Sequence, residues 1–223
     1  MTAPPVNGKY DAELTEIRTR ILEMKGEVEL MVCNSIKSLA HRDSPLAQSV
    51  IACVPEIQVL GEELEHRCLH LLGHCAPAAP DRRFVTRALK VVVDLERICH
   101  QCGGIARKVL ELNREALLAF CVDLTPMAEA VNASVREAVD AFLHADGALA
   151  LKVFQGARMV DGLNDQAQRV MLTVMMEDPA TIWRALRINA ISKHLETIAD
   201  SARNIAETAA LMAGGKDAGQ AAA

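Results

Sequence analysis

Glu196 and Asp200 stand four residues apart. On a helix that spacing puts two carboxylates on one face, where they can share a cation. Oxygen donors of this kind suit Mg²⁺, Ca²⁺ or Mn²⁺, and an added imidazole shifts the preference toward iron or zinc. The same spacing also describes an ordinary solvated acidic face. Cys99 and Cys102 form a single Cys-x-x-Cys, whereas a structural zinc site usually draws on two such pairs. Cys102 falls on an apolar stripe, so the pair reads as core thiols. His66, His70 and His74 recur every four residues. They form either a transition-metal face or, the reading preferred here, a polar face near a helix end, where histidine suits the dipole. Glu63 and His66 give one Glu-x-x-His. Di-iron bundles need two of these with further inward glutamates, so an oxidase or storage role is not expected. No nucleophile–base pair, glycine-rich phosphate loop or dinucleotide fingerprint is visible, and no catalysis is expected.

These side chains need helices to hold them, and the composition supplies helix formers. The chain has 223 residues, 51% hydrophobic and only 3% aromatic. Its apolar mass is therefore aliphatic, and Ala, Leu and Met favour helix. Few rings and a net charge of −5 with no basic tract argue against a nucleic-acid binder. The longest stretch without Asp, Glu, Lys or Arg is the 13 residues from Cys68 to Pro80, too short to span a membrane. The odd count of seven cysteines and the lack of an apolar leader point to a cytosolic compartment.

Apolar residues then mark six helices. Leu14, Ile17, Ile21, Met24, Val28 and Met31 form a coiled-coil-like seam in a helix expected over 11–41. Pro45 opens a second helix, which Pro55 should kink or delay. That helix is expected to end near His74, before the break Ala76-Pro77-Ala78-Ala79-Pro80. Phe84, Ala88, Val91, Leu95, Ile98, Cys102, Ile105 and Val109 line a third, and Gly103-Gly104 should loosen it unless a neighbour packs against bare backbone. Met127 to Phe142, Val153 to Val174 and Ile191 to Met212 carry the last three, with Asp178-Pro179 as a cap and first-turn proline.

The halves match in register. Met24, Val28, Asp43, Ala47 and Val50 correspond to Met127, Val131, Asp146, Ala150 and Val153, each 103 residues on. Leu95, Glu96, Ile98, Ile105 and Ala106 correspond to Leu195, Glu196, Ile198, Ile205 and Ala206, each 100 residues on. The expectation is an all-α chain of two tandem antiparallel three-helix bundles, over 10–115 and 120–214, with disordered ends at 1–9 and 215–223.

Asp94-Leu95-Glu96-Arg97-Ile98, Leu195-Glu196-Thr197-Ile198-Ala199-Asp200 and Asn204-Ile205-Ala206-Glu207, set in duplicated helix triplets, resemble the PhoU family of accessory regulators of bacterial phosphate transport. The resemblance implies a non-enzymatic cytoplasmic six-helix protein, often a homodimer. Such proteins couple a phosphate transporter ATPase subunit to a sensor histidine kinase and repress the phosphate-starvation response. It also implies that some members carry metal clusters on acidic motifs, one set per repeat. This chain departs from that pattern. The paired aspartates of the middle helix are Val54 and Gln58 in repeat one, and Ala157 and Asp161 in repeat two. The third-helix motif of repeat one keeps Glu96 but has His100, and the asparagine position reads Gly104 there and Asn204 in repeat two. The expected metal positions are therefore Asp161, Asp165, Glu196 and Asp200, for a divalent or iron-type cation. A lesser set is Glu96 and His100, with Glu62 nearby.

Overall fold

The structure, a computed structural model, describes residues 7–74, 79–118 and 122–214. Within them lie α1 (Asn7–Ala40), α2 (Ser44–His74), α3 (Ala79–Leu112), α4 (Thr125–His144), α5 (Gly147–Glu177) and α6 (Ile182–Met212), with a short 3-10 turn at Pro179–Thr181. No strand occurs among the described residues. Of the break read over Ala76–Pro80, Ala79 and Pro80 already belong to α3, and of the N-terminus expected to be disordered over 1–9, residues 7–9 belong to α1; the rest of the break and of both ends lies outside the described residues.

The stripes read from the sequence point inward. Leu14, Ile17, Ile21, Met24, Val28 and Met31 are buried on α1, and Leu95, Ile98, Ile105 and Val109 on α3. Val131, Val135 and Phe142 of α4, Val153 and Val160 of α5, and Leu195, Ile198 and Ile205 of α6 do the same. A fully buried Leu, Ile or Met is worth about 1.5–3 kcal/mol over the exposed side chain, so one inward stripe per helix is enough to drive the packing. Each helix of a triplet touches the other two, giving two three-helix bundles. The bundles join where α3 lies along α6 and α1 against α4, and their buried side chains form one continuous core.

The α1–α2 and α4–α5 turns are built alike, save one capping bond that Pro45, with no N–H, cannot give. Arg42 (φ 52) and Ala145 (φ 51) both take the left-handed conformation. Asp43 N–H donates to Ser38 O, and Asp146 N–H to Ala141 O. Each aspartate then caps the following helix: Asp43 Oδ1 accepts from Leu46 N–H, and Asp146 Oδ1 from Ala148 and Leu149 N–H. The matched pair Asp43/Asp146 is thus a pair of N-caps, satisfying amides that the first helical turn leaves open. Asp178 does the same for Ala180 N–H.

The structure corrects the expected delay at Pro55 and decides between the two readings of Gly103-Gly104. Pro55 does not delay α2, which begins at Ser44 and runs through it. Pro55 is exposed, where water can take the carbonyl that loses its donor. Gly103-Gly104 does not interrupt α3, because both glycines are contact points. A Cβ on Gly103 would lie 2.9 Å from Val54 Cγ2, and one on Gly104 2.6 Å from the His194 ring.

The last contact is half of a pseudo-twofold pair. His194 of α6 lies over Gly104 of α3, and its Nδ1 donates to Gln101 Oε1 at 2.6 Å. One hundred residues apart at each end, Asn204 Nδ2 of α6 donates to Asp94 Oδ1 of α3 at 3.4 Å. Two of the three segments that carried the family resemblance, those of Asp94 and Asn204, therefore meet across the seam between repeats. Farther along, Arg187 of α6 binds Glu111 at 2.9 Å and Glu115 at 2.7 Å.

Candidate functional site

In repeat two, α5 presents Asp161 and α6 presents Glu196 and Asp200 to one surface. Their proximity shows in their charges. Asp161 is held above the usual carboxylate range by burial, then by Asp200 and Glu196, with Asp165 adding to the effect and Arg203 opposing it. The acids are not bare, however. Lys193 forms an ion pair with Glu196, and Arg203 binds Asp200 at 2.9 Å. The Lys193 ammonium is correspondingly held up, first by its hydrogen bond to Glu196. Asp165, one turn along α5, lines a shallow groove with Arg169, Leu172 and Asn189.

An all-carboxylate donor set fits a hard divalent cation by chemistry, but the geometry is not that of a closed cage. Among the described residues no three His, Cys, Asp or Glu side chains converge closely enough to hold a metal ion. A cation entering here would displace Lys193 and Arg203 from their partners.

In repeat one the corresponding positions are engaged in packing. Glu96 of α3 folds its carboxylate over Gly61 of α2, where any Cβ would overlap it. Burial raises the Glu96 carboxyl, His100 lowers it, and Glu65 and Glu62 raise it further. His100 Nε2 meets Gln58 Nε2 at 3.4 Å, so a neutral amide and an imidazole stand where the resemblance implied two carboxylates. Val54, at the other such position, is a contact for Gly103, and its carbonyl accepts a weak bond from Cys99 Sγ at 3.9 Å. These residues do not fit a multi-acid cluster.

Cys99 and Cys102 are buried free thiols, as read from the stripe. Burial pushes Cys99 up to about 12 and Cys102 higher still, which makes both poor nucleophiles. His66 and His70 are exposed on α2, as is Glu63; the side chain of His74 lies outside the described residues. Gly61, Lys193, Arg203 and the Gln101–His194 bond were missed from the sequence. Lys193 and Arg203 were available there, since each stands three residues from its acid.

Comparison with known proteins agrees with this geometry. The PhoU domain model matches residues 21–109 and again 124–209. A Pseudomonas aeruginosa protein called "Phosphate-specific transport system accessory protein PhoU homolog" is 36% identical over 213 residues, covering 95% of this chain and 88% of that protein. Its Escherichia coli counterpart, "Phosphate-specific transport system accessory protein PhoU", is 28% identical over 91% of this chain. The crystal structure of PhoU from Pseudomonas aeruginosa superposes with a TM-score of 0.89 over 93% of this chain and 100% of that one. The Streptococcus pneumoniae "phosphate transport system regulatory protein PhoU" shares the fold, at TM-score 0.83 and 24% identity.

Proposed function

This chain belongs to the PhoU domain family, and on that premise we propose that it is an accessory regulator of phosphate-specific transport. It acts by contact and carries out no reaction of its own. Its partners are the ATPase subunit of a phosphate ABC transporter and a sensor histidine kinase, and its effect is to repress the phosphate-starvation response when phosphate is plentiful. The observation that carries this reading is the match of both repeats, over nearly the whole chain, to relatives named for that accessory role. Its surface is suited to contact. Trp183 is 72% exposed and Met176 76%, flanking the turn between α5 and α6. Leu186 and Leu172 follow them one turn further along each helix and are exposed too. Exposed apolar groups of this kind mark places where proteins meet. A cytoplasmic location and a homodimer belong to the same reading and rest on the resemblance. Deleting the gene should derepress phosphate-starvation genes in phosphate-rich medium, and a plasmid copy should restore repression. Unchanged expression in the deletion strain removes the reading.

A cation at Asp161, Asp165, Glu196 and Asp200 is a second reading, favoured by one observation: burial first, and then the neighbouring carboxylates of Asp200, Glu196 and Asp165, hold Asp161 up, and a cation would relieve the repulsion among them. Elemental analysis of the purified protein tests it. Stoichiometric Fe, Zn, Mn or Mg that disappears in Asp200→Ala supports it, and metal-free protein with an intact fold removes it.

A further inference from the structure

The first turns of α3 carry Arg82, Arg83, Arg87 and Lys90, and with Thr86 these line a single cleft of about 360 Å³. In a chain of net charge −5 four cations on one short stretch form a local reversal of sign. Among the described residues none of the four makes an ion pair, although Arg97 on the same helix is held by Asp94. Arg82, Arg83 and Lys90 are exposed and Arg87 half-buried. Asp81 precedes Arg82 in the first turn of α3 and offsets part of this charge, and Asp94 and Glu207 sit in the adjoining groove between α3 and α6, which Arg87 and Lys90 also border. Thr86 Oγ1 donates its proton to Arg82 O, so the free donors in the cleft are three guanidiniums and one ammonium.

We propose that this cleft binds a linear phosphorylated anion of two or more phosphates. Three facts select that chemistry. Guanidinium forks match phosphate oxygens in pairs, and three of the four cations are arginines. The stretch from Arg82 to Lys90 rises about 12 Å along the helix, a length a single tetrahedral oxyanion cannot cover but a chain of phosphates can. No aromatic side chain lines the cleft, so a nucleobase would find no ring to stack on, and the phosphate chain itself is the recognised part. The site is remote in sequence from the acids of repeat two, and it stands whether or not the regulatory reading holds.

Titration calorimetry on the full chain at physiological ionic strength tests it, with sulfate, inorganic phosphate, pyrophosphate and tripolyphosphate as probes. Affinity should rise from phosphate to tripolyphosphate, with sulfate no better than phosphate. Arg83→Glu/Arg87→Glu should weaken tripolyphosphate by about tenfold or more, since each charged hydrogen bond removed is worth about that factor. Arg114→Glu/Arg136→Glu makes the same change in net charge at exposed positions elsewhere and should leave the affinity within about twofold. Circular dichroism verifies that both variants fold. The proposal is overturned if affinity does not depend on chain length, if both double variants lose affinity equally, or if the protein binds anionic phospholipid vesicles but not tripolyphosphate.

Discussion

Alanine at Gly104 should destabilise the protein, whereas alanine at Gly26 should stabilise it, although both glycines lie inside helices. Replacing glycine by alanine in a helix interior gains about 1 kcal/mol from propensity. Gly26 is exposed, and a Cβ there meets nothing within 4 Å, so that gain should appear in full. At Gly104 the new Cβ would stand 2.6 Å from His194 Cε1 and 2.8 Å from Nε2. The ring is not free to swing aside, because Nδ1 donates to Gln101 Oε1. Overpacking of this kind costs about 1–3 kcal/mol, and the lost hydrogen bond about 1 kcal/mol more. Against the propensity gain the net loss is about 1–3 kcal/mol. For a chain of this size each kcal/mol moves Tm by about 2–4 °C. Thermal unfolding by far-ultraviolet circular dichroism should therefore show Gly26→Ala melting a few degrees above the parent and Gly104→Ala below it. In a His194→Ala background the obstruction is gone, and Gly104→Ala should turn neutral or stabilising. If Gly104→Ala raises Tm as Gly26→Ala does, or if removing His194 leaves its penalty unchanged, the packing account of the seam is wrong.

Asp43→Ala and Asp146→Ala should each lose about 1 kcal/mol as missing N-caps, and the double variant should lose nearly the sum because the turns lie in separate repeats. Ala145→Gly should gain up to about 1 kcal/mol by relieving a left-handed alanine; chemical denaturation reads all of these. Asp161 has a raised carboxyl pKa in the folded chain, so its ionisation opposes folding. The penalty is present above the raised value and absent below the ordinary one of about 3.9. Asp161→Asn should thus be at least as stable as the parent at neutral pH, with the difference vanishing as acid protonates the parent. Trp183→Ala should keep the parent's circular dichroism and Tm within about 2 °C while reducing recovery of the transporter ATPase in co-purification. Full recovery would remove that face from the contact.

The helices were legible because burial follows a 3.6-residue period, and residues such as Ile17, Leu95 and Val131 declare their face by spacing alone. The duplication was legible in Asp43 and Asp146, but their task was not, since a cap is defined by the backbone it satisfies. Gly103-Gly104 showed the opposite weakness. A glycine pair reads as weakness or as close contact, and only His194 and Val54, far away in sequence, decide which. The apolar and amide residues Val54 and Gln58 of repeat one were visible, yet Gly61 beneath Glu96 was not, because a missing side chain leaves no pattern. The basic face of α3 escaped notice for another reason. Its cations are interleaved with the buried Phe84, Val85 and Ala88, so no run of like charge forms, and the chain's overall acidity hides it.

The pairing of Gly104 with His194 and of Asn204 with Asp94 has a consequence for how such a molecule can arise. A lone three-helix unit would leave the inner face of its third helix uncovered, and a second copy of itself would be the natural cover. That is an isologous contact, in which every residue must serve both sides at once. Joining two copies through a linker makes the encounter intramolecular and raises the effective concentration of each half for the other. It also releases the two sides from identity. One side has kept an amide against a carboxylate, and the other now sets an imidazole over bare backbone. Covalent fusion thus turns a symmetric constraint into two independently variable contacts.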